Sequence, residues 1–346
     1  MIKKKFFKKG IVESQMAWIF ILFAGALILI VFYRIASNQK EISELRIQAE
    51  ISSKIRSAIT SFSTGYEAKS EIETANALIK NSCEGISVKN SRPINLNVFS
   101  FKQLNPKTSK LLVYSVPWNF PFDIDNLILL IEPETKFVIV KNSKYDNLIQ
   151  KIKENFPEKT NFIEVQTIED ALKEESTGKK RIVMFEQTPS FQTKTDKETS
   201  FVIIQSISGK DINNFGEVTF YNTELKNNVY SVVSEGTSYY LGFQMLLAAI
   251  NSDKEIYDCN FKKNMKKFYY FLSILEERTN NIYKNLQSNS DCKSSVGAAK
   301  NIVSDTKNKL NDFLKNNVGL SDFYDYAEKL KIANNELILK SCPEIY

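Results

Sequence analysis

The chain of 346 residues contains no histidine, and that absence removes most of the catalytic chemistry it could have carried. Ser-His-Asp and Cys-His nucleophiles, imidazole acid–base catalysis and every zinc site with a histidine ligand are excluded. Carboxylate, lysine and tyrosine chemistry stay open, but none of them leaves a recognisable spacing. Asp123 and Asp125 in FDIDN fit a turn and a strand edge better than a metal site. Ser234 opens SEGTSYYLGF, which is no nucleophile elbow and has no base to serve it; it reads as the N-cap of a helix starting near Gly236. The loop NSKYDN after the strand KFVIVK lacks the glycines that let a backbone approach a phosphate, and the chain has no Walker or dinucleotide fingerprint. The sequence therefore assigns no catalytic, cofactor-binding or metal residue, and the chain reads as non-enzymatic.

The element that places the rest is Met16–Tyr33, MAWIFILFAGALILIVFY, eighteen residues without a charge. At about 1.5 Å per residue it spans roughly 27 Å as a helix, close to the hydrocarbon thickness of a bilayer. Lysines at 3, 4, 5, 8 and 9 precede it. The positive-inside rule puts residues 1–15 in the cytoplasm, residues 16–34 in lipid and the remainder outside. A cleaved secretory signal has a shorter apolar core ending in small residues, whereas this run ends in VFYRIA. The formal net charge of +6 belongs to this start: residues 1–34 hold six basic side chains and one acid, leaving 40 basic and 39 acidic residues beyond. So balanced a remainder carries no phosphate-binding footprint, and nucleic acid is not an expected partner.

The segment KKGIVESQMAWIF resembles the start of type IV pilin-like proteins with class III signals, a family prominent in archaea. In that family a lysine-rich leader ends in glycine and is cut on the cytoplasmic side, and the apolar helix remains as anchor and polymerisation element. The resemblance implies cleavage between Gly10 and Ile11 and association with copies of itself or other membrane proteins through the helix. It covers about the first 60 residues. Gln15 stands where the bacterial branch has a glutamate, with Glu13 nearby. A looser likeness extends along the chain to uncharacterised archaeal membrane-anchored proteins with a QMAWIFIL-type start. An uncleaved signal anchor is the other reading, and the sequence leaves both open.

Beyond the membrane, Ile47, Ile51, Ile55, Ala58 and Phe62 keep helical spacing, and no Pro or Gly occurs between Gly25 and Gly65, so a stalk helix is expected over 35–65. A further helix is expected over 66–82. Strands are expected at 94–101, 111–116, 126–131 and 136–141, with EPET joining the last two as antiparallel neighbours. Helices at 145–156 and 167–175 then alternate with strands at 136–141, 161–166 and 181–187, which argues for a small parallel sheet. Strands at 201–207, 216–221 and 228–233 follow. The segment YYLGFQMLLAAI (239–250) is apolar all round and too short to span a bilayer, so it reads as a buried helix.

Three stripes close the chain: Phe261 to Leu286, Val296 to Phe313 and Leu320 to Leu337, each with a heptad-like period and short links between them. The expected fold is α/β plus α. A membrane and stalk helix leads to a mixed α/β domain over 66–233 and an antiparallel three-helix bundle over 234–346.

Four cysteines, Cys83, Cys259, Cys292 and Cys342, fall outside the membrane by this topology, where disulfides form. Cys259 and Cys292 begin successive antiparallel helices and so lie about 40 Å apart. A disulfide tolerates only about 7 Å between Cα atoms. Cys342 ends the third helix at the same end as Cys292, which selects Cys292–Cys342 and leaves Cys83–Cys259. Four free thiols remain an alternative; a zinc site would need all four to converge, and no CxxC spacing supports it. The expected protein is thus a non-enzymatic single-pass membrane protein with an extracytoplasmic domain, pilin-like or accessory to surface assembly. The alternative is an anchored receptor for a small solute or peptide, with a crevice at the strand C-termini near Asn142–Asp146 and Gln187–Pro189.

Overall fold

The structure, a computed structural model, describes residues 9–62, 68–89, 91–187, 198–226, 229–288 and 290–346, and their side chains except at 9–17 and 226–230. Most of the basic leader therefore lies outside the described residues. The chain divides into two compact units, Met1–Ile51 and Ser52–Tyr346. One helix, α1 (Lys9–Phe62), runs through the division, as the absence of Pro and Gly after Gly25 allows.

In the first unit, every large apolar side chain from Trp18 to Tyr33 is exposed; Phe20 is 74% and Tyr33 76% accessible. This is the one helix among the described residues long and apolar enough to cross a membrane.

In the second unit, α1 ends with Ile55 and Ile59 buried. The Phe62 carbonyl, left without an intrahelical partner, accepts from Ser115 Oγ at 3.2 Å and Asn126 Nδ2 at 3.1 Å. The short strands β1 (Ala68–Glu73), β2 (Ile79–Ser82), β3 (Gly85–Val88), β4 (Val98–Phe99) and β5 (Gln103–Leu104) follow. The helix expected over 66–82 is thus β1 and β2. The Ala-, Glu- and Lys-rich sequence favours a helix locally. Pairing with distant strands overrides it: Ile72 lies opposite Leu111, and Ile79 opposite Val88 and Leu104. Of the strand expected over 94–101, only an isolated bridge at Ile94 and β4 form.

Two long strands, β6 (Lys110–Asn119) and β7 (Asp123–Ile131), pair antiparallel and complete a four-stranded sheet in the order β1-β6-β7-β4. The next strand, β8 (Lys136–Val140), belongs to a different sheet. EPET therefore carries the chain between sheets rather than around a hairpin, and the expected antiparallel pairing of its flanking strands does not occur.

The second sheet matches the expected alternation. A 3-10 turn, Ser143–Tyr145, and α2 (Asp146–Glu154) lead to β9 (Asn161–Val165). Then α3 (Ile168–Lys173), whose Thr167 hydroxyl accepts the Asp170 amide at 3.1 Å, leads to β10 (Lys180–Phe185) and β11 (Thr199–Ser206). Strands β12 (Phe215–Lys226) and β13 (Val229–Leu241) give the order β13-β12-β11-β10-β8-β9, in which β11, β10, β8 and β9 are parallel. Period-2 alternation sends Phe137, Ile139, Val183 and Val202 into the main core with Leu148, Ile149 and Ile152 of α2. Val138, Ile182, Met184 and Phe201 go to the opposite face, beneath Ala171 of α3. Both faces are covered, which is why these strands read as unbroken apolar runs.

The helix expected from Ser234 is absent. Residues Ser234–Leu241 extend β13 against β12, with a bulge where Ser234 and Gly236 flank Tyr221 and Phe220. Gly236 (φ +108°) takes the left-handed backbone there. The local Ser-x-Gly signal suits a cap, but twelve paired partners on β12 decide otherwise. Residue 234, expected as a domain boundary, falls inside this strand. The buried helix is shorter than expected, α4 (Phe243–Ile250). Three long helices end the chain: α5 (Lys254–Asn285), α6 (Asp291–Asn316) and α7 (Leu320–Leu339). Their stripes are buried from Phe261 to Thr279, at all six positions from Val296 to Phe313 and at all six from Leu320 to Leu337. Residues of the four- and six-stranded sheets and of α4–α7 share one hydrophobic core, while β2, β3 and β5 form a separate three-stranded sheet.

Candidate functional site

The covalent ties come first, because they fix where surfaces can open. Cys83 is bonded to Cys259 and Cys292 to Cys342, with Cα separations of 5.7 and 5.4 Å. The first links the turn after β2 to α5; the second links the start of α6 to the residues after α7. Ser290 Oγ accepts from the Cys292 amide at 3.2 Å, so the helix cap and the disulfide reinforce each other.

At the C-terminal ends of the parallel strands, β8 and β10 are neighbours although β9 intervenes in sequence. This is the switch point where open α/β sheets commonly bind ligands. Here Lys144 Nζ reaches Glu186 Oε2 at 3.1 Å across the switch point. Ser206 Oγ donates to the other Glu186 oxygen, and the Tyr145 ring stacks on Phe185 at 5.2 Å. The Ser206 hydroxyl and the Lys144 ammonium hold the Glu186 carboxyl down to about 2. Glu186 has a left-handed backbone (φ +55°) that turns it across the strand end. Of the crevice expected near Asn142–Asp146 and Gln187–Pro189, Lys144 is spent on Glu186 and lies over the Tyr145 ring at 4.9 Å, and residues 188 and 189 lie outside the described residues. Asp123 and Asp125 sit on β7, where Asp125 pairs with Lys267 of α5. Ser234 lies in the β13 bulge and its hydroxyl accepts from the Gly236 amide at 3.2 Å.

At the opposite end the strands start together: Lys136, Lys180 and Thr199 stand in one register row. Two adjoining cavities of about 240 and 60 Å³ open there and share Lys107, Gly178 and Glu198. The smaller is walled by the EPET crossing. Glu132, 4% exposed, is satisfied by the Asn105 amide and by Lys179. Glu134 accepts from the Thr108 amide at 2.5 Å through Oε1, while its buried Oε2 meets no donor among the described residues. Thr135 lines the smaller cavity and Thr199 the larger, and the hydroxyl of each is buried with no hydrogen-bond partner among the described residues. Gly178 lies so close to Glu134 that a Cβ would sit 3.2 Å from both its Cβ and its carbonyl oxygen. The sequence reading missed this edge because it took EPET as a hairpin turn.

It also missed a set of buried asparagines. Asn81 and Asn260 donate to the Val98 carbonyl at 3.0 and 2.6 Å, and Asn251 donates to those of Phe99 and Leu130 at 3.0 and 3.1 Å. They supply donors to β4, which pairs with β7 over only two residues. No pattern distinguishes them from the chain's many surface asparagines.

Among the described residues no group of three acidic or cysteine side chains is placed to hold a metal ion. No protein-family model, no curated protein and no solved structure matches this chain.

Proposed function

We propose that this protein is a non-enzymatic, single-pass membrane protein whose disulfide-tied head works outside the cytoplasmic membrane. The observation that carries the reading is the band from Trp18 to Tyr33, where large apolar side chains lie exposed along more than four helical turns. Leaving so large a continuous apolar surface in water is unfavourable, and lipid or other apolar helices remove it. Two disulfides in the head fit an oxidising compartment. The lysines at positions 3, 4, 5, 8 and 9 favour a cytoplasmic N-terminus. Residues 16–34 are the lipid-facing segment in this reading, and α5–α7 form a helical bundle within the head.

The finer reading is pilin-like: a leader cut between Gly10 and Ile11, and an anchor helix that also associates with copies of itself or with other membrane proteins in a surface assembly. It is supported by Lys8, Lys9 and Gly10 before the apolar run and by the unbroken helix from Lys9 to Phe62. Two measurements test these levels separately. Protease added to intact cells should remove the head; a head protected until the membrane is breached contradicts the topology. The intact mass of the protein from its native membrane should begin at Ile11. A mass beginning at Met1 leaves a plain signal anchor.

A further inference from the structure

We infer that the cavities at the N-terminal edge of the six-stranded sheet bind a small primary ammonium compound the size of a free amino acid. The inference concerns the head alone and does not depend on the anchoring proposal. Three side-chain oxygens converge on this edge without a protein partner: Glu134 Oε2, Thr135 Oγ1 and Thr199 Oγ1. The two threonines are 1% exposed, so bulk water does not freely satisfy them. A buried acceptor without a donor is costly, and a charged one more so. Glu198 lines both cavities, and its exposed carboxylate forms no ion pair among the described residues. Lys179 is committed to Glu132, and Lys107 donates to the Thr177 carbonyl. With Glu132 and Lys179 paired, the smaller cavity presents the Glu134 and Glu198 carboxylates, the Lys107 ammonium and the Thr135 hydroxyl, a net negative charge among the described residues.

An ammonium group fits that set. It carries three donors, which match Glu134, Glu198 and Thr135, and it brings the missing positive charge. A calcium ion would need six or more oxygens in its shell, and no such acidic group exists among the described residues. The smaller cavity, at about 60 Å³ against 240 Å³ for its neighbour, has room for a head group only. The adjoining 240 Å³ is walled by polar residues, Ser176, Thr199, Glu198 and Lys107 among them; Lys180 also lines it, but its ammonium donates to the Leu172 and Glu174 carbonyls. Such a wall suits a short polar body bearing a carboxylate, rather than an apolar chain.

The test is calorimetric titration of the full chain in detergent micelles. The probes are glycine and ethanolamine, with trimethylglycine as the quaternary control, which cannot donate. Glycine and ethanolamine should bind saturably and trimethylglycine should not. Glu198→Gln and Thr135→Val should each weaken glycine binding about tenfold or more, the loss of one charge-assisted or buried hydrogen bond. Glu198 is exposed and Thr135→Val conserves shape, so both variants keep the fold; the same charge change at exposed Glu169 should leave binding unaltered. No saturable heat with either amine up to about 10 mM, a range that covers even weak solute binding, would overturn the inference. So would equal binding of trimethylglycine, or glycine binding untouched by Glu198→Gln.

Discussion

Between Trp18 and Tyr33 the large apolar side chains all face outward, whereas in α4 every residue but Gln244 is buried. Both stretches are apolar around the whole helix, and such a helix must be buried by something. What differs is length and flanks. At about 1.5 Å per residue, the eight residues of α4 reach only about 12 Å, too short for a bilayer of roughly 30 Å. The protein itself covers α4, packing it against β6, β7, β13 and α5. Just before it, Trp118 Nε1 donates to the Leu241 carbonyl at 2.7 Å, fixing where the strand ends and the helix starts. The first stretch has the length of a span, a cationic flank and no covering element among the described residues. Apolarity thus specifies burial, and length specifies by what.

The sharpest way to break this comparison is to put a charge in each helix. Leu246→Lys should abolish the cooperative unfolding transition of the head, because a buried unpaired ammonium has no route to water; near-UV circular dichroism reads it. The milder Leu246→Ala should cost about 2–5 kcal/mol in chemical denaturation. Reduction acts on the head only, since all four cysteines lie there. Replacing Cys83 and Cys259 by alanine should cost about 2–4 kcal/mol and more than replacing Cys292 and Cys342. The reason is loop length, 176 residues against 50. Leu27→Lys should leave the melting temperature of the head unchanged while shifting the insertion equilibrium of the anchor by about 2.5–3.5 kcal/mol, read as protein released from membranes on alkaline extraction.

The smallest effect concerns the closed strand ends. With its carboxyl held at about 2, Glu186 contributes stability that is fully present above the unfolded value and is lost as pH falls from about 4.3 toward 2. Glu186→Gln should flatten that part of the profile of melting temperature against pH. A profile steeper in the variant would show that the Lys144–Glu186–Ser206 cluster is not the closure it forms in the structure.

Legibility in the sequence followed the distance over which each signal acts. The stripes of α5–α7 were readable because a heptad period is written along one segment, and burial follows it at every position except Ile282 and Leu286 at the end of α5, which are only partly buried. The lengths of those helices also select the partner of Cys292, and Cys342 is its partner in the structure. The segments 66–82 and 234–241 misled because local preference and cap-like residues point to helices, whereas pairing with β6, β5 and β12 makes both extended. The two strand edges were illegible for a related reason. The residues at the N-terminal edge come from 105–108, 132–135, 176–180 and 198–199, and only the parallel register brings them together.

By itself the sequence determined that this protein has one span-length apolar helix, no histidine chemistry, an alternating strand and helix segment, and three amphipathic helices. These are properties of composition and short-period repeats, which local sterics and hydrophobic burial express wherever the chain goes. Only the tertiary structure decided that β7 and β8 part into separate sheets and that one strand end closes on the Lys144–Glu186 pair. The tertiary structure also left Glu134 Oε2 and the Thr135 and Thr199 hydroxyls at the other strand end without a partner among the described residues. Those outcomes depend on which distant strands become neighbours, a choice made by the packing of the whole core rather than by any one segment.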